Sequence, residues 1–328
     1  MQVEPDKNIV ILGTGGTIAG VAEQAGTSVG YRAAQLGVAQ LLQAVPDLER
    51  VASASLQVEQ LAQLDSKDMD HATWHALALR CAELLARDDV SGIVITHGTD
   101  TLEETAWFLQ CVLHPAKPVV LTCAMRPATA ISADGPGNLR DAVACAADMQ
   151  AAGRGVLAVV AGRVFSARQV RKVHPYRVDA FDGSGAGPQG WVEEGRLRWA
   201  TGGLPVVAAS STAIALPPAD HWPLVELLHS HAGCNSAVAL AVMQAWYAAG
   251  VRAVVVVGTG NGTLHQALGS ALDWAQAQGM ALRITTRCEE GQVVQAEGAG
   301  DGRVSSLPAA KARISLMLEL MGWPHALD

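Results

Sequence analysis

The chain is predicted to be an α/β protein with a large N-terminal parallel-sheet α/β domain and a smaller C-terminal α/β domain. Three observations lead there. Short apolar runs alternate with longer amphipathic ones from residue 8 to residue 160. A polar, glycine-rich stretch at 163–201 then breaks the rhythm, and the alternation resumes near residue 223. A parallel sheet covered by helices on both faces gives this pattern, because its strands are buried on both sides and joined by helical crossovers.

In order, NIVIL (8–12), GIVIT (92–96), PVVLTC (118–123) and GVLAVV (155–160) read as buried strands. VASASLQV (51–58) reads as a further strand. Between them, 36–45, 67–87, 101–114 and 138–150 carry helical periodicity. After a connector with few signals, 223–228, 253–257 and 281–285 read as strands, and 235–249, 263–278 and 309–321 as helices. The expected division is a catalytic domain over 1–205, a linker over 206–219 and a smaller domain over 220–328.

Composition narrows the function classes. Half of the 328 residues are apolar and 16% are charged, which a compact fold requires and a disordered chain lacks. The net charge is −8 with scattered Lys and Arg, so nucleic acid is not an expected partner. The start, MQVEPDKN, has no apolar stretch, so no signal peptide is expected. The most apolar region, 237–257, is broken by Gln244 and Arg252 and reads as helix plus strand, so no membrane partner is expected. Six cysteines without CxxC spacing read as free thiols in a reducing compartment, pointing to the cytoplasm. His71 and His75 have a helical spacing that metal ligands use, but the glutamate of the HExxH motif is missing, and no metal or cofactor is expected.

Ligands of open parallel sheets bind beyond the carboxyl ends of the strands. Three such ends join glycine to threonine: Gly13-Thr14-Gly15-Gly16-Thr17, His97-Gly98-Thr99-Asp100-Thr101 and Gly258-Thr259-Gly260-Asn261-Gly262-Thr263. Glycine lets a backbone approach closely, and threonine brings a hydroxyl that attacks or hydrogen-bonds. The first loop lacks the third glycine of a dinucleotide fingerprint and the Gly-Lys-Ser/Thr of a phosphate loop. A tight turn of structural glycines remains its plain alternative. Thr101 and Glu104 fit a capping box, which leaves Thr99 and Asp100 unexplained. Ser66 reads as the N-cap of helix 67–87, a place from which its hydroxyl would also serve a substrate carboxylate. Gly26-Thr27-Ser28-Val29-Gly30 fits GxSxG, but no strand precedes it to form the elbow.

Taken together, TGGTIAG (14–20), DSKDM (65–69), HGTDTLEETAWFL (97–109), AMRP (124–127), SADGPGNL (132–139) and GNGTL (260–264) resemble, in this order, the segments of bacterial-type L-asparaginases, which include the glutaminase-asparaginases. The resemblance covers nearly the whole chain. It implies a hydrolase that converts L-asparagine to L-aspartate and ammonia through a threonine nucleophile and an acyl-enzyme. Thr17 would be that nucleophile, with Tyr31 a lid residue approaching its hydroxyl. Thr99, Asp100 and Lys172 would form a second cluster, Lys172 being placed by SARQVRKV (166–173) with Arg171 its near rival. Gly16, Ser66, Thr99, Asp100 and, from a neighbouring subunit, Glu297 would bind the substrate. Thr17 is favoured over Thr99 as the attacking group, a choice the sequence does not settle. A homotetramer built as a dimer of dimers, with shared sites, is implied.

Lys67 stands where secreted relatives carry Gln or Glu beside the substrate's amino group, and Thr263 where many carry Asn or Ser. Both count against strong use of L-glutamine. The segment 20–35 has three glycines and no apolar period, so a mobile lid is expected, displaced or disordered without ligand. The alternatives are an enzyme using L-glutamine comparably, an amidotransferase subunit acting on aminoacylated tRNA, and a non-catalytic amino-acid sensor on the same fold.

Overall fold

The apolar run after Lys7 forms β1 (Asn8–Gly15), and Ile9, Val10, Ile11 and Leu12 are all buried, so both faces of the strand are covered. The computed structural model describes residues 7–22, 30–200, 214–296 and 302–323. Two compact units meet in sequence at Leu216 and Pro217. Residues 206–213 of the expected linker lie outside the described residues.

The first unit is built on an eight-stranded sheet. A short ribbon of β2 (Val21–Ala22) and β3 (Tyr31–Arg32) follows β1. Helices α1 (Val38–Gln43) and α2 (Leu48–Ala52) lead to β4 (Ser55–Leu64). Helix α3 (His71–Leu85) precedes β5 (Val90–Thr96), α4 (Leu102–Leu113) precedes β6 (Val119–Thr122), and α5 (Gly135–Ala147) precedes β7 (Val156–Val160). Strands β4, β1, β5, β6 and β7 are parallel neighbours in that order. Ile93, Val94 and Ile95 of β5 and Val119, Val120 and Leu121 of β6 are fully buried. Each such side chain stabilises the fold by roughly 1.5–3 kcal/mol. On one face, α1, α2 and α5 pack with Ile9, Ile11, Val94, Val120 and Leu157. Helices α3 and α4 pack on each other, with Trp74 stacked on Phe108 at 5.1 Å between ring centres.

Beyond β7 the sheet is antiparallel, which the sequence reading did not anticipate. Strand β8 (Arg163–Ser166) folds straight back on β7, with Val160 opposite Arg163. Ala161 (φ 50) and Gly162 (φ 70) make a two-residue turn with both φ positive, the geometry that closes a hairpin. The ribbon β9 (Arg171–Lys172) and β10 (Phe181–Asp182) comes next. The pair β11 (Gly190–Glu193) and β12 (Arg196–Trp199) then completes the sheet, joined through Glu194 (φ 51) and Gly195 (φ 73).

In the first unit three boundaries differ from expectation. Residues 51–58 are split: α2 ends at Ala52, Ser53 turns the chain at φ 47, and β4 runs on to Leu64. The helix expected at 67–87 starts at His71, capped by Asp70, whose carboxylate accepts from the Thr73 amide at 2.8 Å. Residues 138–150 become α5 from Gly135, with Pro136 in its first turn, followed by a separate short turn at Met149–Ala151.

The second unit has a parallel sheet of β13 (Leu224–His229), β14 (Val251–Gly258) and β15 (Ala281–Thr286) in that order. Helices α6 (Ser236–Ala248) and α7 (Gly269–Ala277) share a core with β14, in which Met243, Val254, Val256 and Ala275 are buried. The helix expected at 263–278 starts at Gly269, after a short turn at Gln266–Leu268. Helix α8 (Ala309–Leu320) packs against all three strands.

Candidate active site

The carboxyl ends of β1 and β5 lie side by side because the strands pair from Asn8 through Gly13. The loops that follow are pressed together by glycine. A Cβ on Gly16, whose φ is +81, would overlap the Cα and N of Gly98. A Cβ on Gly98 would overlap the Ser66 side chain. Two bare backbones and one small hydroxyl therefore meet at a point that no larger residue could occupy. The Gly16 amide donates to the Leu64 carbonyl at 2.9 Å, and its carbonyl accepts from Ala34 at 3.0 Å. Both main-chain groups of Gly16 are thus used in holding the loop. Thr14, between the glycines, donates to the Thr96 carbonyl at 2.9 Å and ties β1 to β5.

Thr17 opens a single helical turn after Gly16 and is 7% exposed. Its hydroxyl lies 2.7 Å from the Tyr31 hydroxyl. Tyr31 is held there by the β2–β3 ribbon and by Gly20, where a Cβ would come within 2.9 Å of the tyrosine ring. The expectation that this segment is displaced is not met at its described ends, since β3 pairs with β2 and brings Tyr31 to Thr17. Residues 23–29 lie outside the described residues, as does the bulk of the GxSxG match.

Thr99, Asp100 and Lys172 form one cluster. The Lys172 Nζ donates to Thr99 Oγ1 at 2.8 Å and to Asp100 Oδ1 at 2.6 Å. Thr99 Oγ1 also lies 3.3 Å from Asp100 Oδ1, to which it donates. Thr99 is buried, Lys172 mostly buried, and the Asp100 carboxylate half exposed, so the cluster has one open side. Of the two rival cations, Lys172 makes these contacts.

Ser66 is not the helix N-cap the sequence suggested. It belongs to a short turn, Ser66–Asp68, capped by Asp65, and is 2% exposed. Its Oγ accepts from the Asp100 amide at 3.1 Å, and its carbonyl accepts from the Thr101 hydroxyl at 2.8 Å. Thr101 stands at the N-cap of α4 but its side chain makes no capping bond. A tertiary contact has won over a local one in both residues. The Lys67 side chain is 60% exposed and paired locally: its ammonium bridges Asp68 at 2.9 Å and Asp65 at 3.0 Å, and these carboxylates raise its pKa.

Sequence reasoning missed the support beneath these loops. His97 is fully buried, and its Nδ1 lies 2.7 Å from the Gly98 carbonyl, which can only accept, so Nδ1 carries the proton. Nε2 accepts from the Thr105 hydroxyl at 2.9 Å, and Thr105 accepts from Trp74 Nε1 at 2.9 Å. Burial lowers the His97 pKa to about 4, against the weaker pull of the Gly98 carbonyl, so the ring is neutral near pH 7. Glu103, passed over for Glu104 in the capping-box reading, accepts from the Lys172 amide at 2.6 Å. Glu297 lies outside the described residues. Thr263 sits in the second unit, 3.1 Å from the Thr259 hydroxyl. His71 lies near-parallel to Trp74, with ring centres 6.2 Å apart.

Comparison with known proteins gives a consistent result. The family model described as "Asparaginase, N-terminal" matches residues 8–203, and that described as "Glutaminase/Asparaginase C-terminal domain" matches residues 224–322. The chain is 37% identical over 316 residues to L-asparaginase 2 of Bacillus subtilis (strain 168), covering 95% of this chain and 82% of that one. It is also 37% identical over 320 residues to the glutaminase-asparaginase of Pseudomonas fluorescens biotype A, covering 95% and 86%. Among solved structures, the crystal structure of a probable cytoplasmic L-asparaginase from Campylobacter jejuni is similar at a TM-score of 0.87 and 35% identity, covering 96% of this chain and 95% of that one.

Proposed function

The chain belongs to the asparaginase family, and from that premise we propose that it hydrolyses L-asparagine to L-aspartate and ammonia with Thr17 as nucleophile. The observation that carries this reading is the 2.7 Å contact between the Thr17 and Tyr31 hydroxyls, at the mouth of a loop packed on Gly98.

A threonine hydroxyl attacks well only when its proton has somewhere to go. Tyr31 takes that proton and passes its own phenolic proton to the departing nitrogen. The new bond joins Thr17 Oγ to the amide carbon, the C–N bond breaks, and ammonia leaves from a covalent ester. Water then attacks the ester carbon, and Thr17 regains its proton as L-aspartate departs. Main-chain amides of the two glycine loops, other than that of Gly16, stabilise the oxyanion by a few kcal/mol. The Lys172 ammonium favours negative charge developing in the polar network it shares with Thr99.

Substrate selection follows from charge. Asp100 presents its open side to the α-ammonium group. Ser66, whose oxygen accepts from the Asp100 amide, donates a hydrogen bond from its hydroxyl to the α-carboxylate. Glu297 of a neighbouring copy is the second acceptor for the ammonium. The shared site calls for at least two copies, the family resemblance implies a homotetramer arranged as a dimer of dimers, and α6 supports self-association. Its sequence, SAVALAVMQAWYA, has no charged residue, yet Val238 is 62% exposed and Tyr247 also faces outward. A cytoplasmic location is supported by the free thiols of Cys81, Cys111, Cys123 and Cys145, all buried. Among the described residues no helix is long and apolar enough to cross a membrane.

The test is ammonia release from L-Asn and L-Gln measured side by side. The expected result is turnover of both, with the larger kcat/KM for L-Asn. Binding of L-aspartate with no ammonia from either amide would make the chain a sensor instead.

A further inference from the structure

Lys172 is gripped at both ends by one short piece of chain. Its tip meets Thr99 and Asp100 at 2.8 and 2.6 Å. Its root meets Glu103, whose Oε2 accepts the Lys172 main-chain amide at 2.6 Å. Thr99 to Glu103 is a single turn leading into α4, so the segment that offers the lysine its partners also anchors its backbone.

The anchor answers a structural need. Strand β9 has two residues, and β10 covers one edge of it: Phe181 pairs with Lys172, and the Val173 amide donates to the Ala180 carbonyl at 2.8 Å. A ribbon this short is marginal alone. The Lys172 amide is received by the Glu103 carboxylate in place of a further strand. Such a charge-assisted bond is stronger than a neutral one. Glu103 also stands in the first turn of α4, where the positive end of the helix dipole favours an ionised carboxylate.

We infer that Glu103 is a positioning residue for the reaction, acting through the Lys172 main chain and not on the substrate. The inference rests on the reading that Lys172 belongs to the active site. A lysine side chain has enough rotatable bonds to reach Thr99 from several backbone positions. Fixing the root selects one of them, and misplacing a catalytic cluster by about 1 Å costs on the order of 100-fold in rate. The charge strengthens the bond, but the position of Lys172 is set by an accepting oxygen at the right reach, and that is what the reaction needs from Glu103.

Two conservative variants separate reach from charge. Glu103→Gln keeps an accepting oxygen at full reach and loses the charge. Glu103→Asp keeps the charge and falls short by one methylene. With L-Asn as substrate and the native oligomer as enzyme, Glu103→Gln is expected to hold kcat within about threefold of wild type. Glu103→Asp is expected to lower it roughly 10- to 100-fold, with KM changed less than about threefold. In a Lys172→Met background, Glu103→Asp is expected to cost no more than about a further threefold, because the group it positions is gone. The reverse order, with Asp active and Gln impaired, would overturn the inference by making charge the essential property. So would an undiminished Glu103→Asp loss in the Lys172→Met background. Wild-type kcat in Lys172→Met alone would sink the reading of Lys172 itself, a result distinct from failure of the Glu103 anchor.

Discussion

The Tyr31 hydroxyl stands 2.7 Å from the Thr17 hydroxyl across fourteen residues of sequence. Loop closure over that span is opposed by chain entropy, and the described structure meets it with the β2–β3 pairing and the absence of a side chain at Gly20. Tyr31→Phe removes the proton acceptor and keeps the ring. The expected outcome is a fall in kcat of roughly 10- to 1000-fold with little change in KM, because the hydroxyl acts on proton transfer. Steady-state assays with L-Asn check this, and a fall in kcat/KM carried by KM alone would remove Tyr31 from the chemistry.

Gly98→Ala should be far more damaging than an ordinary loop substitution. Its Cβ would overlap the Ser66 side chain, against which the loop is closed. Either the β1 and β5 loops separate or Ser66 moves, and both disturb Thr99. A loss of about 1–3 kcal/mol in stability is expected, of the order seen for overpacking in a tight core, together with roughly a 100-fold loss of kcat. Thermal unfolding and turnover, measured on one preparation, report the two effects. A variant with wild-type Tm and rate would mean that the loops are not so closely packed.

His97 gives stability a defined pH dependence. Its folded pKa is lowered from 6.5 to about 4 by burial. Between those values the unfolded chain binds a proton that the folded chain refuses, so stability falls as pH drops through the window. The contribution is intact above 6.5 and fully lost below about 4, a change of about 3 kcal/mol. Denaturant titrations of wild type and His97→Gln at pH 7 and pH 4 isolate this group, since the carboxylates and the other histidines titrate alike in both. The stability gap between them should move by about that amount, wild type losing more. A gap independent of pH would show that the ring is not a neutral buried donor.

Lys67→Gln should change little. The ammonium is bound to Asp65 and Asp68, and its side chain is 60% exposed. Exposed pairs of this kind contribute little to stability, because solvent screens them. KM for L-Asn is expected to stay within about twofold of wild type. A drop of tenfold or more would place Lys67 against the substrate's ammonium group.

The parts of this fold that the sequence made legible are those governed by burial. Strands β1, β5, β6 and β7 were readable because both of their faces are apolar, and α4 because its period is regular. The antiparallel edge was not readable, since it depends on Ala161 and Glu194 adopting positive φ, which neither residue type advertises. Ser66 and Asp70 are both good N-cap residues four positions apart, and only the tertiary bond from Asp100 to Ser66 decides between them. Glu104 fitted a local pattern while Glu103 reached a strand sixty-nine residues away. The Thr17–Tyr31 pairing came from resemblance to a family, because no local periodicity links a loop to a lid.

The most direct measurement is the site of the acyl group. Enzyme turning over isotopically labelled L-asparagine is quenched in acid within a single turnover, digested and peptide-mapped. The label is expected as an ester on the peptide that carries Thr17, and its yield should vanish in Thr17→Val together with ammonia release. Label on the peptide that carries Thr99, or undiminished ammonia release by Thr17→Val, would contradict Thr17 as the nucleophile.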